Sequence, residues 1–371
     1  MTSWAISCTE ADFGATATGE PIQRWTIDDG ELTLSVLSLG GIIQSLEVPD
    51  SAGHRDDVML GFDDVAGYQN TRTFCGALIG RMANRLTSGR FSLDGTEYAI
   101  TPNEGDTALH GGLDGFHRRI WAIKPFSDDE GAGLRLHLVS PDGDQGFPGC
   151  LEVTVDYLLV PGQRRLKIRY AATTDRTTVL NLTQHAYFNL AGATHAVPSL
   201  DGHLLQVNAG HYTPVDGRGL PSGEIAHVIG TAFDLRTPQP LDFLSLDHNL
   251  VLEDGTDVDQ GPAGHGHGHG HGHGHGHGHD DGLRPAATLE HPASGRRLDV
   301  LTSEPAIQIY TGIGLDGSET GKAGVRYQRA AGICLETQHY PDAPNHPQFP
   351  STTLHPGEEF VSITEWRFSV R

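Results

Sequence analysis

Two segments of this sequence carry side chains that are suited to proton transfer. The segment NLTQHAYFNL, residues 181–190, alternates like a β-strand and places His185 on a face made wholly of hydrogen-bonding residues. The segment GICLETQHYPD, residues 332–342, places Glu336 directly after a short apolar run. Burying a carboxylate without a partner is costly, so we expect Glu336 to pair with a cation or to hydrogen-bond a ligand. Burial and neighbouring charges can tune both residue types toward neutral pH, which suits them to acid and base catalysis.

Each segment also has an ordinary structural interpretation. The polar face of residues 181–190 could simply meet water, as one face of many antiparallel strands does. Glu336 could equally form an internal salt bridge that has no catalytic role. The spacing within the two segments leaves both interpretations open, so the other polar residues of the chain must decide between them.

Other polar side chains lie at turns or alternate with apolar residues. Asn84 and Arg85 lie in IGRMANRL, and His110 precedes two glycines that allow the backbone to approach a small molecule closely. Asp247 begins DHNLVL, and Gln308 lies between two isoleucines. These donors and acceptors suit a neutral, polyhydroxylated ligand, because each hydroxyl group both donates and accepts hydrogen bonds.

The composition restricts the partners of the chain. Across 371 residues, 25 Lys and Arg against 47 Asp and Glu give a formal net charge of -22, which opposes binding to nucleic acid or to an anionic membrane surface. We expect neither a secretory signal nor a membrane span, since no suitable apolar run is found. The four cysteines have no short paired spacing, so we expect free thiols and a cytoplasmic location.

Alternation of apolar and polar residues recurs along the chain and predicts an all-β protein. The clearest examples are ELTLSV at 31–36, LRLHL at 134–138, LEVTVDYL at 151–158, RLKIRY at 165–170 and EEFVSITEWRFSV at 358–370. Turn signals such as Asp94-Gly95 and Ser294-Gly295 separate such runs, and amphipathic patterns longer than two helical turns are hard to find. We therefore expect residues 1–371 to form one sandwich-like or barrel-like domain.

A low-complexity insertion at about 261–282 interrupts this pattern. It contains the His265–His279 tract, in which eight histidines alternate with glycine. Such a tract cannot build a core, so we expect a mobile loop that binds Zn²⁺, Ni²⁺ or Cu²⁺ at most opportunistically. Because glycine provides no rigid ligand geometry, no metal is expected to be required. The flanking residues predict a hairpin-like connection, with one strand leaving and one returning.

Six blocks of the sequence together resemble the aldose 1-epimerases, also called galactose mutarotases. The blocks are GRMANRL, ALHGGLDGFHRRIW, LNLTQHAYFNLAG, DHN, IQIYTG and LETQHYPDAPNHPQFPSTTLHPGEEF. They occur in family order, and the resemblance extends from about residue 36 to the C-terminus. The most specific pair is NLTQHAYFNL with ETQHYPDAPN.

The resemblance implies a large antiparallel β-sandwich, the galactose mutarotase-like supersandwich, with a concave sugar-binding face. It implies interconversion of the α and β anomers of free aldohexoses such as glucose and galactose, with His185 as general acid and Glu336 as general base. The matched positions that hold sugar hydroxyls or the ring oxygen are Asn84, Arg85, His110, Asp247 and Gln308. It implies no cofactor, and we expect a monosaccharide as the small-molecule partner and a monomer or weak homodimer.

Two other functions remain open from the sequence. A hexose-6-phosphate 1-epimerase would need a cationic cluster for the phosphate, and the candidates are Arg81, Arg90, Arg118 and Arg119. The acidic composition makes this alternative less favourable. A non-catalytic sugar-binding protein on the same fold would tolerate the loss of the acid and base pair, because a fold alone does not fix a function.

Overall fold

The regular structure of the protein is almost entirely β-strand. The computed structural model describes residues 6–195, 197–253 and 282–371. One α-helix, α1 (Val65–Asn70), lies in these described residues, and the Asp64 side chain caps it by accepting a hydrogen bond from the Gly67 N–H. None of the helices in this part of the chain is long and apolar enough to cross a membrane.

The strands of the described residues are numbered in chain order. They are β1 (Ser7–Ala15), β2 (Pro21–Asp28), β3 (Thr33–Leu37), β4 (Ile43–Pro49), β5 (Arg55–Asp57), β6 (Leu78–Ile79), β7 (Arg85–Leu86), β8 (Arg90–Leu93), β9 (Thr96–Ala99), β10 (Ala108–Leu109), β11 (Ala122–Ser127), β12 (Ala132–Ser140), β13 (Leu151–Val160), β14 (Arg165–Thr174), β15 (Thr178–Val179), β16 (Thr183–Gln184), β17 (Tyr187–Phe188), β18 (Leu204–Val207), β19 (Ala209–Tyr212), β20 (Ala226–His227), β21 (Gln239–Pro240), β22 (Asp247–Leu252), β23 (Arg284–His291), β24 (Arg296–Thr302), β25 (Ala306–Tyr310), β26 (Ile333–Gln338), β27 (Thr353–Leu354) and β28 (Phe360–Val370).

Two large antiparallel sheets organise the molecule. One has nine strands in the order β11-β12-β13-β14-β28-β24-β23-β18-β21, and the other has six in the order β17-β26-β25-β22-β19-β20. A third sheet joins β1 to β5 in sequence order, and four two-stranded ladders pair β7 with β10, β15 with β27, β6 with β16 and β8 with β9. This architecture confirms the predicted all-β class and the large antiparallel sandwich.

The main hydrophobic core lies between the two large sheets. It contains Tyr157 and Ile168 from the nine-stranded sheet together with Ile309 from the six-stranded sheet. Phe188 of β17 contacts Trp366 of β28 with ring centroids 4.8 Å apart. Complete burial of a large apolar side chain contributes about 1.5–3 kcal/mol, so this shared core holds the two sheets face to face.

The predicted strands and turns correspond to observed elements. All five alternating segments contain strands, namely β3, β12, β13, β14 and β28. Asp94 and Gly95 connect β8 to β9 with φ angles of 50° and 77°, the left-handed values that a tight hairpin turn requires. Ser294 and Gly295 connect β23 to β24. The period-two pattern succeeds here because each of these strands has one face in the core.

The segment 181–190 differs from the single strand that its alternation predicts. It forms β16 and β17, two-residue strands that belong to different sheets, and the chain leaves the ladder at His185 and Ala186. Every residue of 181–190 is buried, so the interpretation that its polar face meets water is wrong. Its side-chain amides donate to backbone carbonyls: Gln184 to Gly76, Asn181 to His339, and Asn189 to Ser199 and Ala331.

The connection that carries the histidine–glycine insertion also differs from the prediction. The His265–His279 tract lies outside the described residues. β22 belongs to the six-stranded sheet, whereas β23 belongs to the nine-stranded sheet. The prediction of a hairpin-like connection is therefore wrong, because the chain passes from one sheet to the other between these strands.

Candidate active site

A cleft of about 520 Å³ opens beside the six-stranded sheet. β26 and β22 contribute Glu336 and Asp247, and the chain between β16 and β17 contributes His185. The remaining predicted residues that line the cleft are Asn84, Arg85 and His110. Six of the seven predicted site residues thus come together, although they are separated by up to 252 positions in the sequence.

His185 and Glu336 form a buried pair at the inner end of the cleft. The His185 Nε2 atom lies 3.7 Å from Glu336 Oε1, and the two side chains are 6% and 2% exposed. Two backbone hydrogen bonds fix His185: its N–H donates to the Ala77 carbonyl (2.9 Å), and its carbonyl accepts from the Gly76 N–H (2.8 Å). Its Nδ1 contacts the Cys334 thiol at 3.6 Å. The imidazole is therefore held facing the carboxyl group.

Burial controls the protonation of this pair. Burial lowers the pKa of His185 from 6.5 to about 4. Burial also raises the pKa of Glu336 well above its ordinary value, nearby Asp247 raises it further, and the Arg85 guanidinium opposes this increase. Both directions favour a neutral imidazole beside a protonated carboxyl group at neutral pH. The pair then holds one transferable proton between two groups.

His110 is fixed by its neighbour Asn84. The Asn84 backbone N–H donates to the imidazole Nδ1 of His110 at 3.1 Å. The backbone N–H of His110 donates to the backbone carbonyl of Asn84 at 3.0 Å. Burial lowers the pKa of His110 well below 6.5, and nearby His185 lowers it further. A neutral imidazole whose Nδ1 accepts a hydrogen bond carries its proton on Nε2. His110 therefore provides a fixed N–H donor.

The hydrogen bond from the Asn84 N–H to His110 Nδ1 disfavours metal binding by His110. One ligand atom from each of His110, His185 and Glu336 lies within 4.8 Å of the others, a set of two imidazoles and a carboxylate that zinc accepts in other proteins. Metal-bound histidines usually donate their second N–H to an acceptor. His110 instead meets a donor, the Asn84 N–H, at that position. The arrangement favours hydrogen bonding to a ligand over metal coordination.

Arg85 is held by two carboxylates. Its Nε and Nη2 donate to Glu104 at 2.7 and 3.0 Å, and its Nη1 lies 3.7 Å from Asp247 Oδ2. The Gln308 amide in turn donates to Asp247 Oδ1 at 2.6 Å. Gln308 is buried directly opposite Glu336 in the ladder of β25 and β26 but does not line the cleft. The structure thus places Gln308 behind Asp247, where it orients that carboxylate.

The cleft also contains residues that sequence reasoning missed. Glu104 lies in the turn NEGD, and Phe74 lies in the turn TRTFCG; neither sequence carries a catalytic signal. The outer part of the cleft is formed by Asn70, Arg72, Asp316, Ser318 and Glu319. These residues come from loops whose approach to the sheet depends on tertiary packing, which local periodicity does not encode.

The charges of the cleft are predominantly negative. Its lining includes four carboxylates and two arginines, Glu104, Asp247, Asp316 and Glu319 against Arg72 and Arg85, beside the protonated Glu336. None of the four arginines considered for phosphate binding lines it. Arg81 is buried and donates to Ser140 and to backbone carbonyls. Arg90 pairs with Glu97, and Arg119 pairs with Asp114 and Asp144, all outside the cleft. This region does not provide the cationic cluster that a sugar phosphate would need.

Comparisons with known proteins find relatives over nearly the whole chain. A family model described as "Aldose 1-epimerase" matches residues 23–367. A galactose mutarotase from Bos taurus is 40% identical over 98% of this chain and 99% of its own, and an aldose 1-epimerase from Escherichia coli is 34% identical over 94% and 96%. A solved aldose epimerase homologue from C. elegans is similar, with a TM-score of 0.80 and 27% identity over 98% of this chain and 99% of that chain. A galactose 1-epimerase from Lactobacillus acidophilus gives 0.79 and 26% over 99% of both chains.

Proposed function

The chain belongs to the aldose 1-epimerase family, and we propose that its cleft interconverts the α and β anomers of free aldohexoses such as galactose and glucose. The observation that carries this proposal is the buried pair of His185 and Glu336, 3.7 Å apart at the inner end of a polar cleft. Glu336 Oε2 is buried and has no hydrogen-bond partner among the described residues. A sugar hydroxyl would satisfy this oxygen.

The reaction needs one base and one acid. Glu336 removes the proton of the C1 hydroxyl while His185 protonates the ring oxygen, the bond from C1 to the ring oxygen breaks, and an open-chain aldehyde forms. Rotation about the C1–C2 bond and reclosure on the opposite face of the carbonyl return both protons and give the other anomer. Each positioned proton transfer contributes about 10²- to 10⁴-fold in rate.

The protonation states of His185 and Glu336 are consistent with this acid and base mechanism. Burial raises the pKa of the Glu336 carboxyl group and lowers that of His185, so both shifts favour placing the shared proton on Glu336. Transfer of this proton to the imidazole generates a carboxylate base and an imidazolium acid without any exchange with solvent. The burial that keeps both groups neutral also strengthens their attraction once they are charged.

The surrounding residues hold the sugar and stabilise the charge that develops on its oxygens. The His110 Nε2–H and the Arg85 guanidinium are donors for hydroxyl groups or for the ring oxygen, and Asn84 lies between them in the lining. Asp247, oriented by Gln308, accepts hydrogen bonds from hydroxyl groups. These groups are preorganised by their own hydrogen bonds, so little reorganisation accompanies the reaction.

Two other functions fit this site less well. The excess of carboxylates in the cleft disfavours a hexose 6-phosphate, whose phosphate would be repelled. A protein that only binds sugar has no need of a buried carboxyl group beside an imidazole, an arrangement that is costly to bury. A comparison of free and phosphorylated glucose as substrates tests the first alternative, and turnover itself tests the second.

The direct test follows the conversion of a pure anomer with an anomer-specific dehydrogenase in excess. We expect Glu336→Gln and His185→Asn to reduce kcat by about 10²-fold or more with the fold intact. Glu304→Gln is the matched control, because Glu304 is also a buried carboxylate but pairs with His339 outside the cleft. Near-normal turnover in either site variant would remove that residue from the mechanism.

We also propose that residues 1–371 act as a single cytoplasmic domain that needs no partner chain, as a monomer or weak homodimer. All four cysteines are free thiols, which supports a reducing compartment. Six of the seven predicted site residues line one cleft of a single chain, which supports a site that a monomer can form. Light scattering across a concentration series and fractionation of the source cells test these points.

A further inference from the structure

Phe74 has unusual surroundings for an aromatic residue. It lies in the turn between α1 and β6, and its ring is partly buried while it also lines the cleft. The ring centroid lies 4.7 Å from that of His110, 4.8 Å from that of His117 and 5.8 Å from that of His185. One side chain thus contacts three imidazoles, two of which belong to the candidate active site.

The backbone at Phe74 is strained. Its φ angle is 55°, in the left-handed region that residues with a bulky side chain seldom adopt. The turn closes through a hydrogen bond from the Ala77 N–H to the Phe74 carbonyl at 3.0 Å. At Gly76, whose φ is 68°, an added Cβ would lie 2.3 Å from the Ile43 carbonyl oxygen. The turn is therefore fixed on both sides, and a glycine at position 74 would fit it with less strain.

We propose that Phe74 is a sugar-binding and positioning residue, whose ring forms an apolar wall for the bound aldopyranose and holds His110 and His185 in place. This inference rests on the proposed epimerase function. The C–H groups on one face of a pyranose are apolar, and an aromatic ring offers them a flat surface. A ring that is displayed in a cleft from a strained backbone position is an arrangement typical of functional sites.

The wall also keeps water away from the imidazoles. The titratable groups facing His185 are Glu336 and Cys334 from β26, His110 and His117 from the loop before β11, and Tyr187 from β17. Burial is the main cause that lowers the pKa of His185 to about 4. Removing the ring admits water beside His185, so its pKa should rise toward 6.5.

The test compares Phe74→Gly, Phe74→Leu and Phe74→Tyr in the coupled assay from about pH 4 to pH 9. The Gly and Leu variants should lose at least about tenfold in kcat/KM, and Tyr, which keeps the ring, should stay near wild type. In Phe74→Gly the acid limb of the profile should move to higher pH, since His185 gains its second, inhibitory proton earlier on acidification. Asp94→Gly is the control, because Asp94 has a similar φ of 50° on an exposed hairpin.

The outcomes separate the two proposals. Normal kcat/KM in Phe74→Leu and an unmoved acid limb in Phe74→Gly would overturn the role of Phe74 while leaving the epimerase intact. A loss of activity that only follows a fall in Tm, with no change in the pH profile, would also overturn it, because the ring would then be merely structural. Absence of turnover in the wild type would instead contradict the proposed function. If Phe74→Gly does not fold, the contrast between Leu and Tyr decides the question.

Discussion

Glu104 offers the sharpest test of how the cleft is organised. Its carboxylate accepts two hydrogen bonds from Arg85 at 2.7 and 3.0 Å, and it has no chemical role of its own in the proposed reaction. In Glu104→Gln the side chain keeps its shape but loses its charge and one acceptor oxygen. The Arg85 guanidinium should then lose its firmer partner and shift toward Asp247, which lies 3.7 Å away.

The expected change in kcat/KM follows from the solvent exposure of the Glu104 side chain. A hydrogen bond to a charged group contributes about 1.5–3 kcal/mol when it is buried. Glu104 is 41% exposed, so solvent screening reduces the loss to about 1 kcal/mol. This corresponds to about a fivefold change in kcat/KM, mostly through KM, since Arg85 would hold the sugar less well.

The assay is the coupled measurement of initial rates at several galactose concentrations. Glu97→Gln is a matched control, because Glu97 pairs with Arg90 on the surface hairpin away from the cleft. We expect this control to behave like wild type. Equal KM values for Glu104→Gln and wild type would refute the claim that Glu104 positions Arg85.

Three further predictions concern the stability of the fold. Trp366→Ala should lower the free energy of unfolding by about 3–5 kcal/mol in urea titrations, because Trp366 is 1% exposed and its removal leaves a cavity against Phe188; a loss below about 1 kcal/mol would contradict this role. Lys322→Met should lower the free energy of unfolding by about 3–5 kcal/mol, because it leaves the Asp57 carboxylate without the Lys322 ammonium group that lies 2.5 Å away. An unchanged urea midpoint would contradict a stabilising role for this ion pair. The Tm should fall as the pH falls from about 6.5 to about 4. Burial lowers the pKa of His110, His117, His185 and His203, so the unfolded chain binds protons at these four positions in this window while the folded chain does not. The raised pKa of Glu336 acts in the opposite direction but offsets only one of them; His203→Asn should weaken the dependence, and an unchanged dependence would contradict this account.

Periodicity predicted those parts of the fold that are determined by local side-chain alternation. Strands such as β13 and β14 place alternate residues in the core, so their sequences report their conformation directly. The same rule failed for residues 181–190, because both sides of this segment are buried and its polar groups bond to the backbone of neighbouring loops. Alternation also cannot identify the sheet that a strand joins, which is why the connection from β22 to β23 was predicted as a hairpin.

The candidate site could also be predicted only in part. The resemblance to a family predicted His185 and Glu336 as an acid and base pair, and the structure places the two side chains 3.7 Å apart. It did not reveal that Gln308 lies behind Asp247 or that Glu104 holds Arg85. Both facts depend on which loops and strands become neighbours after folding. Supporting contacts of this kind leave no spacing signal in a single sequence.

The negative lining of the cleft restricts which hexoses the enzyme can equilibrate. A phosphotransferase that acts on the same hexose adds about two negative charges near neutral pH. The acidic walls of the cleft would repel that product. The enzyme would therefore equilibrate only sugars that have not yet been trapped by phosphorylation, and accumulated sugar phosphates would not occupy the cleft and slow the supply of either anomer.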